Sequence, residues 1–335
     1  MSKFLLVLGE NQLSDEEIES IKAQLPVGMS FVQCDDVETA VQYADEIEIC
    51  AGWCGPKYLQ HFPNLKWAQV WAAGANWILK HPELQKRPFV LTNGSGIHAV
   101  NITEHIFAFI LQHARGLRLL HEAQKAHHWV NIVHPSEPYP DERFPFSSGN
   151  LTELPGKTIL LLGVGAIGER TAKIAKAFDM HVIGLRNNPQ KGSPFVDEMV
   201  GSQQLLEVIP RADFIVSSLP STPETHHFLN KEAIDLMKTT AFVVNVGRGD
   251  NIEEEALLDA LRRNAIAGAA LDVVEQEPLP GDAPHWDMPN LTITSHYSGS
   301  SPHYHQRALV ILLDNLERYK NNEPLRNVVD KQAGY

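Results

Sequence analysis

Three segments of this 335-residue chain carry residues whose types could do acid–base chemistry on a small anion. Asn245-Val246-Gly247-Arg248-Gly249 holds an arginine, Leu271-Asp272-Val273-Val274-Glu275-Gln276-Glu277-Pro278 holds carboxylates, and Thr294-Ser295-His296-Tyr297-Ser298-Gly299 holds a histidine. A guanidinium at Arg248 can clamp a carboxylate and polarise the carbonyl beside it. An imidazole at His296 can give or take a proton near neutral pH. Glu277, hydrogen-bonded to the other ring nitrogen, would set the tautomer and tune that exchange. These groups suit hydride transfer to a 2-oxo acid, with the proton coming from His296. Such chemistry needs no metal, and no metal site is expected. Cys50 and Cys54 lack a second pair, and His121, His127, His128 and Trp129 read better as a solvated or interface face.

A hydride needs a carrier, and one segment reads as its holder. Gly163-Val164-Gly165-Ala166-Ile167-Gly168 follows the apolar run Thr158–Leu162 and opens a helical pattern. Glycines at this spacing permit a tight turn, close backbone approach to a pyrophosphate and close packing of helix on strand. The helix N-terminus offers free N–H groups and the positive end of its dipole. The next strand, His181–Leu185, is followed by Arg186 rather than by the carboxylate that binds the ribose of NAD. A guanidinium can bond a 2′-phosphate, and one charge-assisted bond contributes about 1.5–3 kcal/mol, roughly ten- to hundredfold in preference. NADP(H) is therefore expected over NAD(H), with NAD(H) left open.

These loops converge only if the strands before them run parallel. Short apolar runs do alternate with helical patterns, the sign of a parallel sheet covered by helices. Phe4–Leu8, Phe31–Gln33, Glu46–Cys50, Lys66–Trp71 and Phe89–Thr92 read as strands of a first α/β unit. Regular alternation restarts near Lys157, with strands at Thr158–Leu162, His181–Leu185, Phe214–Ser217, Ala241–Asn245, Ile266–Leu271 and Leu291–Thr294. Helices are expected over Ser14–Leu25, Asn101–His121 and His305–Tyr319, while 134–148, with four prolines, reads as a loop. About 150 residues per domain makes two domains the natural division.

Lys and Arg number 28 against 41 Asp and Glu, a net charge of −13. A chain this acidic, with no basic patch, is a poor partner for nucleic acid or anionic membrane. No run approaches the roughly 20 apolar residues of a spanning helix, and the start lacks the pattern of a signal peptide. Three cysteines, an odd count without paired spacing, suit free thiols in a reducing cytoplasm.

The stretches LLGVGAIG, NVGRGD, GAALDVVEQEPLP and TSHYSGSSP, in this order, resemble the D-isomer-specific 2-hydroxyacid dehydrogenases over nearly the whole chain. The family's Arg-to-Glu spacing of 29 is met here (277 − 248 = 29), and His296 follows 19 residues later (296 − 277 = 19). The resemblance implies that Arg248 binds and polarises substrate, Glu277 tunes, and His296 is the general acid/base. It also implies that Asp272 faces the nicotinamide carboxamide, with Val246 at the same ring and Leu219-Pro220 along the ribose. By the same resemblance a dinucleotide-binding domain, 101–298, is inserted into a substrate domain, 1–100 and 299–335. Both would be Rossmann-like or flavodoxin-like, with parallel sheets, and would close over the ligand. The helix from Asn101 is similar to the family's dimer-forming helix, so a homodimer is expected.

In the substrate domain, Gly74 and Ala75 align with a turn that presents backbone N–H groups to the substrate carboxylate, with Asn76 where Asp is usual. Trp53 could cap the pocket on the C3 side of the substrate, or simply pack. His98 reads as a structural histidine. The implied activity is reduction of small 2-oxo acids, glyoxylate or hydroxypyruvate first, to D-2-hydroxy acids. Two other readings stay open. One is a phosphite dehydrogenase of the same architecture; a formate enzyme would carry Gln in place of Glu277. The other is a dinucleotide-sensing binding protein like the C-terminal-binding corepressors, which the catalytic residues do not separate from an enzyme.

Overall fold

Short aliphatic runs buried on both faces form strands that pair in parallel throughout the two sheets. The structure, a computed structural model, describes residues 2–8, 13–131, 134 and 151–334. It divides into two units, Met1–His98 with Ser300–Tyr335, and Ala99–Gly299.

The first unit holds β1 (Lys3–Val7), β2 (Ser30–Gln33), β3 (Ile47–Gly52), β4 (Trp67–Val70) and β5 (Val90–Thr92), in the order β2-β1-β3-β4-β5. Its first helix, Asp15–Gln24, starts where the local chemistry requires. Glu17 N–H donates to the Ser14 hydroxyl at 3.3 Å, and Ser14 N–H donates to the Glu17 carboxylate at 2.8 Å. The helix Tyr304–Lys320 returns to this unit, where Leu309, Leu312 and Leu316 pack with Phe4, Leu6, Trp67 and Trp71.

The second unit holds β6 (Thr158–Leu162), β7 (His181–Leu185), β8 (Glu198–Val200), β9 (Phe214–Ser217), β10 (Phe242–Asn245), β11 (Gly268–Leu271) and β12 (Leu291–Ile293). Their order, β12-β11-β10-β9-β6-β7-β8, reverses direction between β6 and β9. Ligands of open parallel sheets bind at the carboxyl ends beside such a reversal. The inner strands β9, β10 and β11 are buried at every position. Helix Ala99–Ala114 covers one face, with Ile102, Ile106, Phe109 and Ile110 packed against Ile159, Leu161 and Val244.

Two expectations change. The single helix expected over 101–121 is two, Ala99–Ala114 and Leu117–Lys125, because Gly116 between them has φ +62°. A right-handed helix cannot continue through a residue in that conformation. The edge strand β8 was missing from the sequence reading, its three residues being too short to show a period. The proline-rich stretch 134–148, apart from His134, lies outside the described residues. Among the described residues no helix is long and apolar enough to cross a membrane.

His113, at the end of the covering helix, stacks on Phe242 with ring centroids 4.1 Å apart. Burial pushes its pKa down to about 4. Unfolded, the ring titrates near 6.5. The unfolded state therefore binds more protons between about 6.5 and 4, and stability falls as pH drops through that window. In His113→Leu the fall in Tm between pH 7 and pH 4.5 should be smaller than in the parent. Paired thermal melts check this, and equal falls would refute it.

Candidate active site

The glycine turn joins β6 to helix Ala166–Ala177. A Cβ on Gly168 would lie 2.1 Å from the Gly163 carbonyl oxygen, so only glycine lets the helix close on the turn. At Gly165, the N-cap, a Cβ would meet nothing within 4 Å, and that side is open. The first helical bond runs from Glu169 N–H to the Gly165 carbonyl at 2.8 Å. The N–H groups of Ala166, Ile167 and Gly168 precede it, as the first donors of any helix do. A cradle closed behind by Gly168 and open in front at Gly165 fits a pyrophosphate.

Leu219 sits beside this turn, its Cδ2 3.3 Å from where a Gly163 Cβ would be, and Pro220 next to it is exposed. Arg186 directly follows β7. Its Nη1 donates to the Lys191 carbonyl at 2.7 Å, which folds the 186–191 turn under the guanidinium.

The arginine loop is stapled by its own amides. Asn245 Oδ1 accepts from Gly247 N–H at 3.0 Å, and its Nδ2 donates to the Arg248 carbonyl at 2.9 Å. Arg248 N–H donates to Asn251 Oδ1 at 3.0 Å, and its Nη1 to the Gly247 carbonyl at 2.7 Å. Val246 is buried at the end of β10. A Cβ on Gly249 would lie 2.0 Å from the Val274 carbonyl, so glycine brings the arginine loop onto the loop after β11 backbone to backbone.

Glu277 belongs to that second loop. One carboxylate oxygen accepts from Val274 N–H at 3.2 Å, and the other meets His296 Nδ1 at 2.7 Å. A carboxylate can only accept, so Nδ1 carries the proton and Nε2 remains for a ligand. The ring is half-exposed. Arg248, Glu277 and His296 thus lie on successive carboxyl-end loops of one sheet.

Asp272, next after β11, is 1% exposed, yet its carboxylate accepts four hydrogen bonds from three donors. Thr294 Oγ1 donates to Oδ1 at 2.5 Å and Tyr297 N–H to the same oxygen at 3.1 Å. Ser298 N–H reaches both oxygens, Oδ2 at 3.1 Å and Oδ1 at 3.3 Å. Burial pushes the carboxyl pKa up, but the bonds from Ser298, Thr294 and Tyr297 outweigh it and hold the group below the usual range. The sequence reading had Thr294 only as the end of a strand and gave its neighbour His105 no role. The available signal was a polar stripe, Asn101, His105 and Gln112, running beside Ile102 and Phe109 of the apolar helix face.

In the first unit, Trp53 follows β3, is 38% exposed, and stacks on Tyr304 at 5.6 Å and 16°. Neither a buried packing residue nor a free one, it shows one face of its ring to Tyr304. The Tyr304 hydroxyl donates to the Trp71 carbonyl at 3.0 Å. The 73–75 turn is held where Asn93 Nδ2 donates to the Ala73 carbonyl at 2.7 Å. Gly74 is half-buried, Ala75 is buried, and Asn76 begins the short turn Asn76–Lys80. His98 packs its ring against Tyr304 at 5.1 Å. No group of three metal-ligating side chains occurs among the described residues.

A parallel sheet with a pyrophosphate cradle at its reversal, and a histidine–carboxylate pair on the neighbouring strand ends, defines the class of dinucleotide-dependent dehydrogenases. Residues 107–298 match the family model for the D-isomer specific 2-hydroxyacid dehydrogenase NAD binding domain. The chain is 33% identical over 269 residues to the hydroxypyruvate reductase of Blautia hydrogenotrophica, covering 80% of each. A solved D-isomer specific 2-hydroxyacid dehydrogenase family protein from Aeromonas salmonicida superposes with a TM-score of 0.80 at 32% identity, over 98% of this chain and 99% of that one. The NADPH-dependent glyoxylate/hydroxypyruvate reductase of Sinorhizobium meliloti, solved with NADP and sulfate, gives 0.79 at 25% identity over 100% of both. The chain belongs to the D-isomer specific 2-hydroxyacid dehydrogenase family and is an NAD(P)-dependent enzyme of it.

Overpacking a close contact costs typically 1–3 kcal/mol, so Gly168→Ala should weaken dinucleotide binding by roughly ten- to hundredfold. Titration of NADH and NADPH fluorescence measures it, and unchanged affinity would show that the cradle is not the binding turn.

Proposed function

We propose that this enzyme reduces small 2-oxo acids to D-2-hydroxy acids, with glyoxylate and hydroxypyruvate the first candidates and NADP(H) the preferred cofactor. The observation that carries the reading is the 2.7 Å bond between His296 Nδ1 and Glu277, which leaves Nε2 as the nitrogen that meets substrate. The names of the Blautia and Sinorhizobium relatives support the choice of acids.

The N–H groups of Ala166, Ile167 and Gly168, opposite the open side of Gly165, would hold the pyrophosphate, with Gly163 shaping the turn. Leu219 and Pro220 would border the ribose, and Val246 and Asp272 the nicotinamide. A nicotinamide bound there would supply the hydride for the substrate's carbonyl carbon. Arg248 binds the carboxylate and draws electron density from the C2 carbonyl, using donors beyond the one committed to Gly247. His296 Nε2–H passes its proton to the forming alkoxide, and Glu277 stabilises the charged ring beforehand. Gly74, Ala75 and Trp53 of the first unit are proposed as substrate contacts.

Arg186 supports NADP(H). Its guanidinium is only half-buried, and Lys191 brings a second positive charge to the same turn.

Initial rates with NADPH and NADH at matched concentrations, on glyoxylate, hydroxypyruvate, pyruvate and phenylpyruvate, test the whole reading. NADPH should be the faster donor, and Arg186→Ser should shift the ratio toward NADH by about tenfold or more. Equal or faster rates with NADH in the parent would defeat the role of Arg186. Turnover of none of the acids would favour phosphite or a sensing role instead. Glu277→Gln removes the negative charge beside the ring, so the reduction rate should begin to fall at a lower pH than in the parent. An unchanged pH–rate profile would remove Glu277 from the mechanism.

A further inference from the structure

We infer that His105 is a positioning residue for His296, acting through Thr294 and Asp272; the inference rests on the reductase reading of His296. The backbone of His296 has φ +52°, in the left-handed region where a side chain is uncommon. Such a conformation persists only where its surroundings over-determine it. Here the loop is wrapped around Asp272. His296 N–H donates to the Asp272 carbonyl at 2.8 Å, and the next two N–H groups donate to its carboxylate.

The Thr294 hydroxyl completes that shell, and its one hydrogen is spent on Asp272 Oδ1. His105 Nε2 lies 3.1 Å from the same hydroxyl oxygen. Thr294 therefore has only a lone pair to offer, and His105 must be the donor. Burial lowers the pKa of His105 against the opposing pull of Asp272, so the ring is neutral with its hydrogen on Nε2. That hydrogen fixes the Thr294 hydroxyl in the one orientation that serves Asp272.

His105 grips the loop on the other side of His296 as well. Its ring meets the ring of Tyr297 edge-on at 5.2 Å and 87°, and that of Phe109 at 4.4 Å. Its neighbours on the same helix act in series. Gln112 Nε2 donates to Thr292 Oγ1 at 3.0 Å, and Asn101 Nδ2 to the Ser298 carbonyl at 2.7 Å. Residues 101, 105 and 112 share one helix face, and their partners at 292, 294 and 298 run along β12 and its exit. Asn101 holds the shell through the Ser298 carbonyl, whereas His105 alone of the three bonds a side chain, Thr294, that donates to the carboxylate. Without its hydrogen the hydroxyl can rotate, Asp272 loses its shortest bond, and the strained backbone that aims His296 relaxes. A misaimed general acid lowers turnover more than binding.

Three variants separate this role from simple packing. His105→Phe keeps an aromatic ring without a donor, His105→Gln keeps a donor, and Thr294→Val removes the hydroxyl. Amide hydrogen exchange at Tyr297 and Ser298 is measured on the cofactor-free protein, with kcat, KM and dinucleotide affinity alongside. In His105→Phe and Thr294→Val both amides should exchange about tenfold faster and kcat should fall about tenfold, the size of one such bond, with dinucleotide affinity held within about twofold. The double variant should be no worse than either single one, because both break the same chain. His105→Gln should recover most of both losses. Parent-like exchange in His105→Phe, multiplied losses in the double variant, or no rescue by Gln would each overturn the inference. If His105→Phe does not fold, Thr294→Val and His105→Gln decide it. A parent that reduces no 2-oxo acid defeats the reductase reading alone, since the exchange measurement still reports on the loop.

Discussion

A carboxylate withdrawn from water must collect hydrogen bonds from whatever donors lie nearest, and Asp272 collects them from the loop that carries His296. The backbone of His296 is thus held by bonds to a buried anion rather than by apolar packing, which could not specify a left-handed backbone at residue 296. Because those bonds favour the ionised form over the neutral one, the anchor carries its full charge near neutrality. Its folded pKa is depressed, so its contribution to stability is present above the unfolded value and drains away as pH falls. Acid would release the loop by the same route that neutral pH secures it.

Parallel strands explain why such distant residues meet. Every strand of the second sheet points its carboxyl end to one edge, so the loops after β6, β10, β11 and β12 share that edge without long connections. Contact between them still needs close backbone approach, and glycine supplies it. Gly168 lets the helix close on the glycine turn, and Gly249 lets the Arg248 loop lie against the loop of Glu277. Membership of the 2-hydroxyacid dehydrogenase family places this arrangement among enzymes of one chemical theme.

Much of this was legible in the chain. The strand–turn–helix around Gly163–Gly168 is local, and residue types there answer to backbone sterics within a few positions. The capping box at Ser14 and Glu17 is local too. The helix break at Gly116 escaped notice because the apolar period continues on both sides of it, at Ile110 and again at Leu117 and Leu120. Trp53 stayed ambiguous because its stacking partner, Tyr304, is in the helix that returns from the far end of the chain.

Residue types, glycine spacing and the order of the loops were determined by the sequence alone, because strand ends of a parallel sheet admit few alternatives. Which nitrogen of His296 faces Glu277, which side of Asp272 is committed, and that His105 has any part in the site were decided only by tertiary structure. A hydrogen bond depends on distance and angle between particular atoms, and His105 and Thr294 are 189 residues apart. No local pattern encodes that angle; the packing of one helix along β12 does.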